Sequence, residues 1–238
     1  MGYKRKWVAW TLLITGFFVT IFAAYYIKSD VYNRDRKEFT HSCNDIGSII
    51  TRRLHAQVQV LRRGAAFISV SDSVTREQWK AFIEELKIPL NWPGTQGTGF
   101  SLIVPQDKLQ QHIQNIRNEG FPEYSIKPDG KRETYTSIVY LEPFSGRNLR
   151  AFGYDMFSET VRREAMERAR DNNVAALSGK VMLVQETGTD VQAGNLMYVP
   201  VYRKGAQTTT IEQRRKAIKG WVYSSYRMDD LMSGIVEG

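Results

Sequence analysis

From Trp7 to Ile27 the chain reads WVAWTLLITGFFVTIFAAYYI, 21 residues without a single Asp, Glu, Lys, Arg or His. A helix of that length is roughly 30 Å long, about the hydrocarbon thickness of a bilayer. Lys4, Arg5 and Lys6 precede the stretch, whereas Lys28, Asp30, Arg34, Asp35, Arg36 and Lys37 follow it with mixed sign. The cationic flank stays in the cytoplasm. This predicts a cytoplasmic tail over residues 1–6, a membrane helix over 7–27 in the inner (plasma) membrane, and a periplasmic or extracellular remainder. A cleaved signal peptide competes with this reading because Ala23 and Ala24 are small. Against it, the apolar run exceeds the roughly 7 to 15 residues of such a signal, and bulky Tyr25 and Tyr26 follow.

The residues after the anchor suffice for one domain with a sizeable core and a helical lead-in. The formal charge of +8 is spread from end to end. An exported, diffusely basic chain is a poor match for a nucleic-acid binder, while anionic headgroups or an anionic ligand are compatible partners. Cys43 is the sole cysteine. No internal disulfide can form, leaving Cys43 as a buried seam residue or as one half of a bridge between two chains.

Apolar residues from Phe39 onward, namely Phe39, Cys43, Ile46, Ile50, Leu54, Val58, Leu61, Ala65 and Ile68, recur in steps of three and four. That is one face of a continuous helix, a stalk over residues 28–70. Its partner is either the domain's own core or a second copy of the chain; parallel homodimerisation is favoured because the first half has no other element to pack against. His41 and His55 lie on this helix at a spacing unsuited to a shared metal.

Residues 71–238 read as a mixed α/β (α+β) unit. Thr75 and Gln78 form a capping box and Val74 with Trp79 a hydrophobic staple, opening a helix whose face is Trp79, Phe82, Ile83 and Leu86 and which Pro89 ends. A strand over Thr98–Val104 precedes a helix over Asp107–Arg117, with Leu109, Ile113 and Ile116 inward, Gly120 at its end and His112 as a structural residue. The turn Pro128-Asp129-Gly130 leads to strands over Thr136–Leu141 and Leu149–Gly153. Ser158 is predicted to cap a helix over Glu159–Asp171 with Val161, Ala165, Met166 and Ala169 inward. Strands over Val181–Gln185, Leu196–Tyr202 and Gly220–Tyr226 follow, with Gly188-Thr189-Asp190 and Gly194 in the first connection and a polar excursion, Lys204–Lys216, in the second. Met228–Val236 is a last amphipathic helix. The order implies a mostly antiparallel sheet of about five strands flanked by helices.

Catalytic material is scarce: three histidines, one cysteine, and no H-E-x-x-H, G-x-S-x-G, phosphate-binding glycine loop or Cys-x-x-Cys. Glu84-Glu85 and Asp229-Asp230 are adjacent on helices, so their side chains diverge. The expectation is no enzyme activity, no catalytic residue, no cofactor and no metal in this chain.

A longer ordered pattern begins at Gly153-Tyr154-Asp155-Met156-Phe157-Ser158-Glu159. It continues through Arg162-Arg163-Glu164-Ala165, Ala169-Arg170-Asp171, Ala176-Leu177-Ser178, Leu183-Val184-Gln185-Glu186 and Tyr198-Val199-Pro200-Val201-Tyr202-Arg203. It closes on Arg215, Gly220-Trp221-Val222-Tyr223 and Tyr226-Arg227-Met228-Asp229-Asp230-Leu231-Met232; upstream, Gly97-Thr98-Gly99-Phe100-Ser101, Val104-Pro105, Tyr140-Leu141-Glu142-Pro143 and Asn148 fit it too. Over about residues 60–236 the chain resembles the CHASE domain, the extracellular sensor of cytokinin receptor kinases and many bacterial receptors. The resemblance implies a membrane helix, a stalk and a PAS-like ligand lobe. A membrane-proximal lobe, a return helix and a cytoplasmic output follow in that family: a histidine kinase of two-component type, or a diguanylate cyclase or phosphodiesterase of cyclic-di-GMP. The chain is then expected to be the sensor part of such a receptor.

The same resemblance implies the site. Where plant receptors hold the adenine ring with an Asp, seven residues after Asp155, this sequence has Arg162. An acceptor is replaced by a cation with five N–H donors. Met156 matches an apolar pocket residue, Ser178 keeps a hydroxyl, Val184 falls where a backbone peptide bonds the ring, and Tyr198 replaces a smaller Thr. The expected ligand is a small molecule, anionic or adenine-like, with Arg162 facing the pocket and selecting a carboxylate or phosphate. The competing reading is an exposed arginine beside Arg163, Arg168 and Arg170. Asp155 is expected in a loop or cap role.

Overall fold

The computed structural model describes residues 3–71, 73–88, 94–188 and 190–236. Asp72, Pro89 and Thr189 lie outside them, so Pro89 as a helix stop and Thr189 as a turn residue are not among the residues described. The chain divides into two compact units, Met1–Thr51 and Arg52–Gly238.

The first unit is the N-terminal part of α1 (Tyr3–Val70). Its large apolar side chains, among them Trp10, Phe17, Phe18 and Phe22, are exposed. Among the described residues one helix is long and apolar enough to cross a membrane, and it is this one. Phe39, Cys43 and Ile46 are exposed as well.

The second unit is built on a five-stranded antiparallel sheet of β1 (Thr95–Pro105), β2 (Thr134–Glu142), β3 (Ala176–Leu177), β4 (Gly194–Tyr202) and β5 (Ile218–Arg227) in the order β2-β1-β5-β4-β3. Successive residues of a strand point to opposite faces, so each strand serves two cores. On one face α1 and α2 (Arg76–Glu85) cover Phe100, Tyr140 and Val222. Here α1 turns Gln57, Val60, Leu61, Gly64, Ala65 and Ile68 inward, so the end of the seam packs on the domain's own sheet. The capping box of α2 is formed from both sides, Thr75 Oγ1 accepting from Gln78 N–H and Gln78 Oε1 from Thr75 N–H.

The other face is covered by 3-10 turns at Gly146–Ala151 and Met156–Ser158 and by α4 (Thr160–Asn172). Between β1 and β2, α3 (Leu109–Asn118) runs to Gly120, whose φ of +102° ends it. The segment predicted as a strand over Leu149–Gly153 is instead the first of those 3-10 turns. Gly146 and Gly153 take φ of +54° and +80° at its two ends, and Asn148 pins it to its neighbours by donating to Gln96 O and Pro143 O. A side chain at Gly153 would also meet Ser125 O at 2.3 Å.

The predicted strand Val181–Gln185 is likewise absent. Only Val181 bridges to Gly194; the carbonyls of Met182 and Glu186 accept from Arg162 and Arg150 rather than from a strand. The two-residue β3 takes the edge instead. The cap of α4 is Glu159, whose carboxylate accepts from the N–H groups of Val161 and Arg162, while Ser158 donates to Asp155 O. Within the polar excursion lies a helix, α5 (Ile211–Ala217), opened by a second capping box at Thr210 and Gln213. A last helix, α6, spans Met228–Val236.

Candidate functional site

Glycine and serine make β1 thin on the face toward α4. A side chain at Gly99 would meet Tyr140 O at 2.3 Å and the Tyr223 hydroxyl at 3.0 Å, so the missing Cβ is what lets the Tyr223 ring lie across β1. Register places Tyr198 opposite Tyr223 and Pro200 opposite Trp221, and the two tyrosine rings sit 6.4 Å apart. Over them pack Met156, Ala165, Met166, Ala169, Leu183 and Leu196 in one apolar cluster. Trp221 is fixed at its far side, its Nε1–H donating to Met166 O at 3.0 Å and its ring stacking on Phe157.

Arg162 enters this cluster as the first member of the buried α4 stripe Arg162, Ala165, Met166 and Ala169. At 4% exposure it is interior, which rules out the exposed reading. It lies in the first turn of the helix beside Val161, which the apolar pattern had put inward and which, half-buried, packs against the same cluster. The guanidinium donates to Met182 O at 2.7 Å and to the Tyr154 hydroxyl at 3.2 Å, with its carbon 5.3 Å from the Tyr154 ring centre. Its carboxylate contact, Glu159, is long at 3.4 Å.

Both buried phenols feel this cation. Burial pushes the Tyr198 and Tyr223 hydroxyls well above the ordinary tyrosine range, and the Arg162 charge works in the opposite direction on each. Tyr198 donates to Met156 Sδ at 3.5 Å. Tyr223 Oη is buried without a hydrogen-bond partner, and so is Ser101 Oγ in the neighbouring strand. Such orphaned groups are uncommon in native interiors.

The other predicted site residues divide. Met156 is 1% and Tyr198 0% exposed, and they touch. Ser178 is buried but occupied by backbone: its Oγ donates to Gly179 O and accepts from Leu196 N–H. Val184 is half-buried on the irregular strap between Ser178 and Gly194. That strap is held by arginines from separate elements: Arg162 on Met182 O, Arg150 on Glu186 O, and Arg227 on the Glu186 carboxylate and on Asp190. Asp155 caps the 3-10 turn through Phe157 N–H, accepts from Thr136 and pairs with Arg132, the loop role expected of it. Sequence reasoning missed Tyr223 and Ser101; their alternation with the apolar residues of β5 and β1 was the available signal. Among the described residues no group of His, Cys, Asp and Glu is arranged to hold a metal ion.

No curated protein matches the chain. The family model of the CHASE domain matches residues 72–238, well over half of the sequence, and with it the sheet, its covered face and the strap described above. The chain therefore belongs to the CHASE-domain family, a module of extracellular sensing rather than of catalysis.

Proposed function

We propose that this chain is the ligand-sensing portion of a transmembrane receptor. Residues 7–27 anchor it with the N-terminus in the cytoplasm, and a small molecule bound between the sheet and α4 alters the paired stalk helices, which pass the change to a cytoplasmic output domain beyond these residues. The ligand carries a carboxylate or phosphate. One observation carries this reading: a buried cation, Arg162, acts electrostatically on the buried, unpartnered hydroxyl of Tyr223. Charge-assisted hydrogen bonds to an anion are about twice as strong as neutral ones, and there they would replace the weak Glu159 contact and the Met182 carbonyl.

The test is a melting experiment on the full chain in lipid nanodiscs with succinate, glutamate, glycerol 3-phosphate and isopentenyladenine as probes. A probe at 100 times its dissociation constant adds about 2.7 kcal/mol of stability. An anionic probe is expected to raise the melting temperature, and Arg162→Met to abolish that rise. Stabilisation by the adenine derivative alone, or an undiminished rise in Arg162→Met, overturns Arg162 as selector.

A second reading, a membrane-anchored dimerisation module without a small ligand, has one observation in its favour: Met156 and Tyr198, both fully buried, touch each other within the apolar cluster. No melting shift with any probe supports it.

A further inference from the structure

A cavity opens beside β2, at the edge of the sheet opposite β3. The chain at 152–154 runs along the outer edge of β2, Gly153 N–H donating to Ile138 O and Ile138 N–H to Tyr154 O. Against it lies the turn that follows α3. There Gly120 ends the helix, Tyr124 N–H closes on Phe121 O at 3.0 Å, and the missing Cβ of Gly153 admits Ser125 O. Between this turn, Leu149 and Phe152 the cavity measures about 340 Å³, at the small end of the ligand-pocket range of about 300–1,000 Å³.

Its apolar wall is Phe121, Tyr124, Leu149 and Phe152. The Phe152 ring meets Phe121 at 5.0 Å and Tyr124 at 4.9 Å between centroids. These rings are held from other elements: the Tyr124 hydroxyl is bonded to His112 and Ser137, Arg117 Nε–H donates to Tyr124 O, and the Arg76 guanidinium lies over Phe121 and Phe152. A wall fixed in this way loses little freedom when a ligand settles on it. Leu149, by contrast, is 48% exposed, an apolar side chain left in water beside the rings.

Arg76 is neutralised by Glu119 at 2.9 Å. The charged residues that line the cavity are therefore Glu123 and Lys127, both exposed, and among the described residues neither side chain has an ion-pair partner, the other included. One free carboxylate and one free ammonium on a single apolar cavity complement a ligand that carries both charges and an apolar body. A simple acid or a simple amine satisfies one of the two and is repelled by the other.

We propose that this cavity binds a free α-amino acid with an apolar side chain. Lys127 takes its carboxylate, Glu123 its ammonium, and Leu149, Phe121 and Phe152 its side chain. The site goes beyond the sensor reading above and is separate from Arg162, whose neighbours Tyr198 and Tyr223 stand on β4 and β5, across β1 from β2.

Calorimetric titration of the full chain in nanodiscs with L-leucine, isocaproate and isoamylamine tests it, the second probe lacking the ammonium and the third the carboxylate. L-Leucine is expected to bind about fivefold or more tighter than either analogue. Glu123→Gln removes the advantage over isocaproate and Lys127→Gln the advantage over isoamylamine, a matching of side chain to ligand group that loosened packing does not produce. Leu149→Asn weakens all three probes by about fivefold. The three substituted side chains are exposed, so each variant keeps the fold. No heat from L-leucine at millimolar concentration, or advantages that survive Glu123→Gln and Lys127→Gln, overturns the site. Arg162 is untouched in every variant, so failure here is separate from failure of the melting shifts that test the sensor reading.

Discussion

At the scale of single residues, His112 shows how burial sets a charge state. Its Nε2 lies 2.9 Å from the Tyr124 hydroxyl, which is paired in turn with Ser137 Oγ. Burial, and after it the Arg76 charge, hold the imidazole down at about 4, and burial lifts the Tyr124 phenol to about 12. A histidine depressed in the folded state stabilises fully above its unfolded value of about 6.5, and that stability is lost as pH falls from there through about 4. Denaturant titration at pH 7.5 and pH 4.5 should show the parent losing about 1–2 kcal/mol more than His112→Gln, after allowance for the ring's partial exposure. An equal loss in both would mean that His112 is not the titrating group. The sequence marked His112 as structural from its place beside an apolar face; for Arg162 it left an inward and an exposed reading open, and a carbonyl twenty residues away draws the side chain in.

At the scale of elements, the contact between α4 and α5 turns on one carboxylate. Asp171 receives Arg215 through Nε and a terminal nitrogen, at 3.1 and 2.6 Å, and Arg170 through Nε at 2.7 Å. The bond from Arg215 first, then that from Arg170, holds this carboxyl far below the usual range. Arg214 adds a bond to the Asp171 carbonyl. Asp171→Asn keeps the shape and removes the charge. Hydrogen exchange over Ile211–Ala217 should then quicken by about tenfold, corresponding to roughly 1.4 kcal/mol, while exchange in β5 is unchanged. Unchanged exchange in α5 would show that its capping box alone holds it. The existence of α5 was legible in Thr210 and Gln213, which repeat the Thr75 and Gln78 signal, but the surrounding run of polar residues hid it. Leu149–Gly153 and Val181–Gln185 misled for the reverse reason. Both have strand-like composition, yet the first closes a turn on itself through Phe152 N–H and Leu149 O, and in the second the Met182 carbonyl is taken by Arg162 from a distant element.

At the scale of the whole molecule, Cys43 is both exposed and unique. If the cationic flank stays inside, a membrane-impermeant maleimide added to intact spheroplasts labels Cys43 without permeabilisation; labelling only after permeabilisation would reverse the orientation. Mild oxidation of the same membranes should give a cross-linked dimer that Cys43→Ser abolishes, as parallel stalks bring the two thiols together. A chain that stays monomeric under oxidation would count against pairing along Phe39–Ile46.

By itself the sequence determined what depends on local or one-dimensional physics. An uncharged run of 21 residues against bilayer thickness, capping boxes, the alternation of the long strands and the ordered motifs of the CHASE family are all properties of neighbours in the chain. Only the tertiary structure decided which polar side chains go inside. Arg162 is drawn in by Met182 and Tyr154, Gln57 by Ser224 at a separation of 167 residues, and Tyr223 by a bare Gly99 across the sheet. A buried polar group is stable only where its partners converge, and partners that converge from distant parts of the chain leave no periodic trace around the residue they bury.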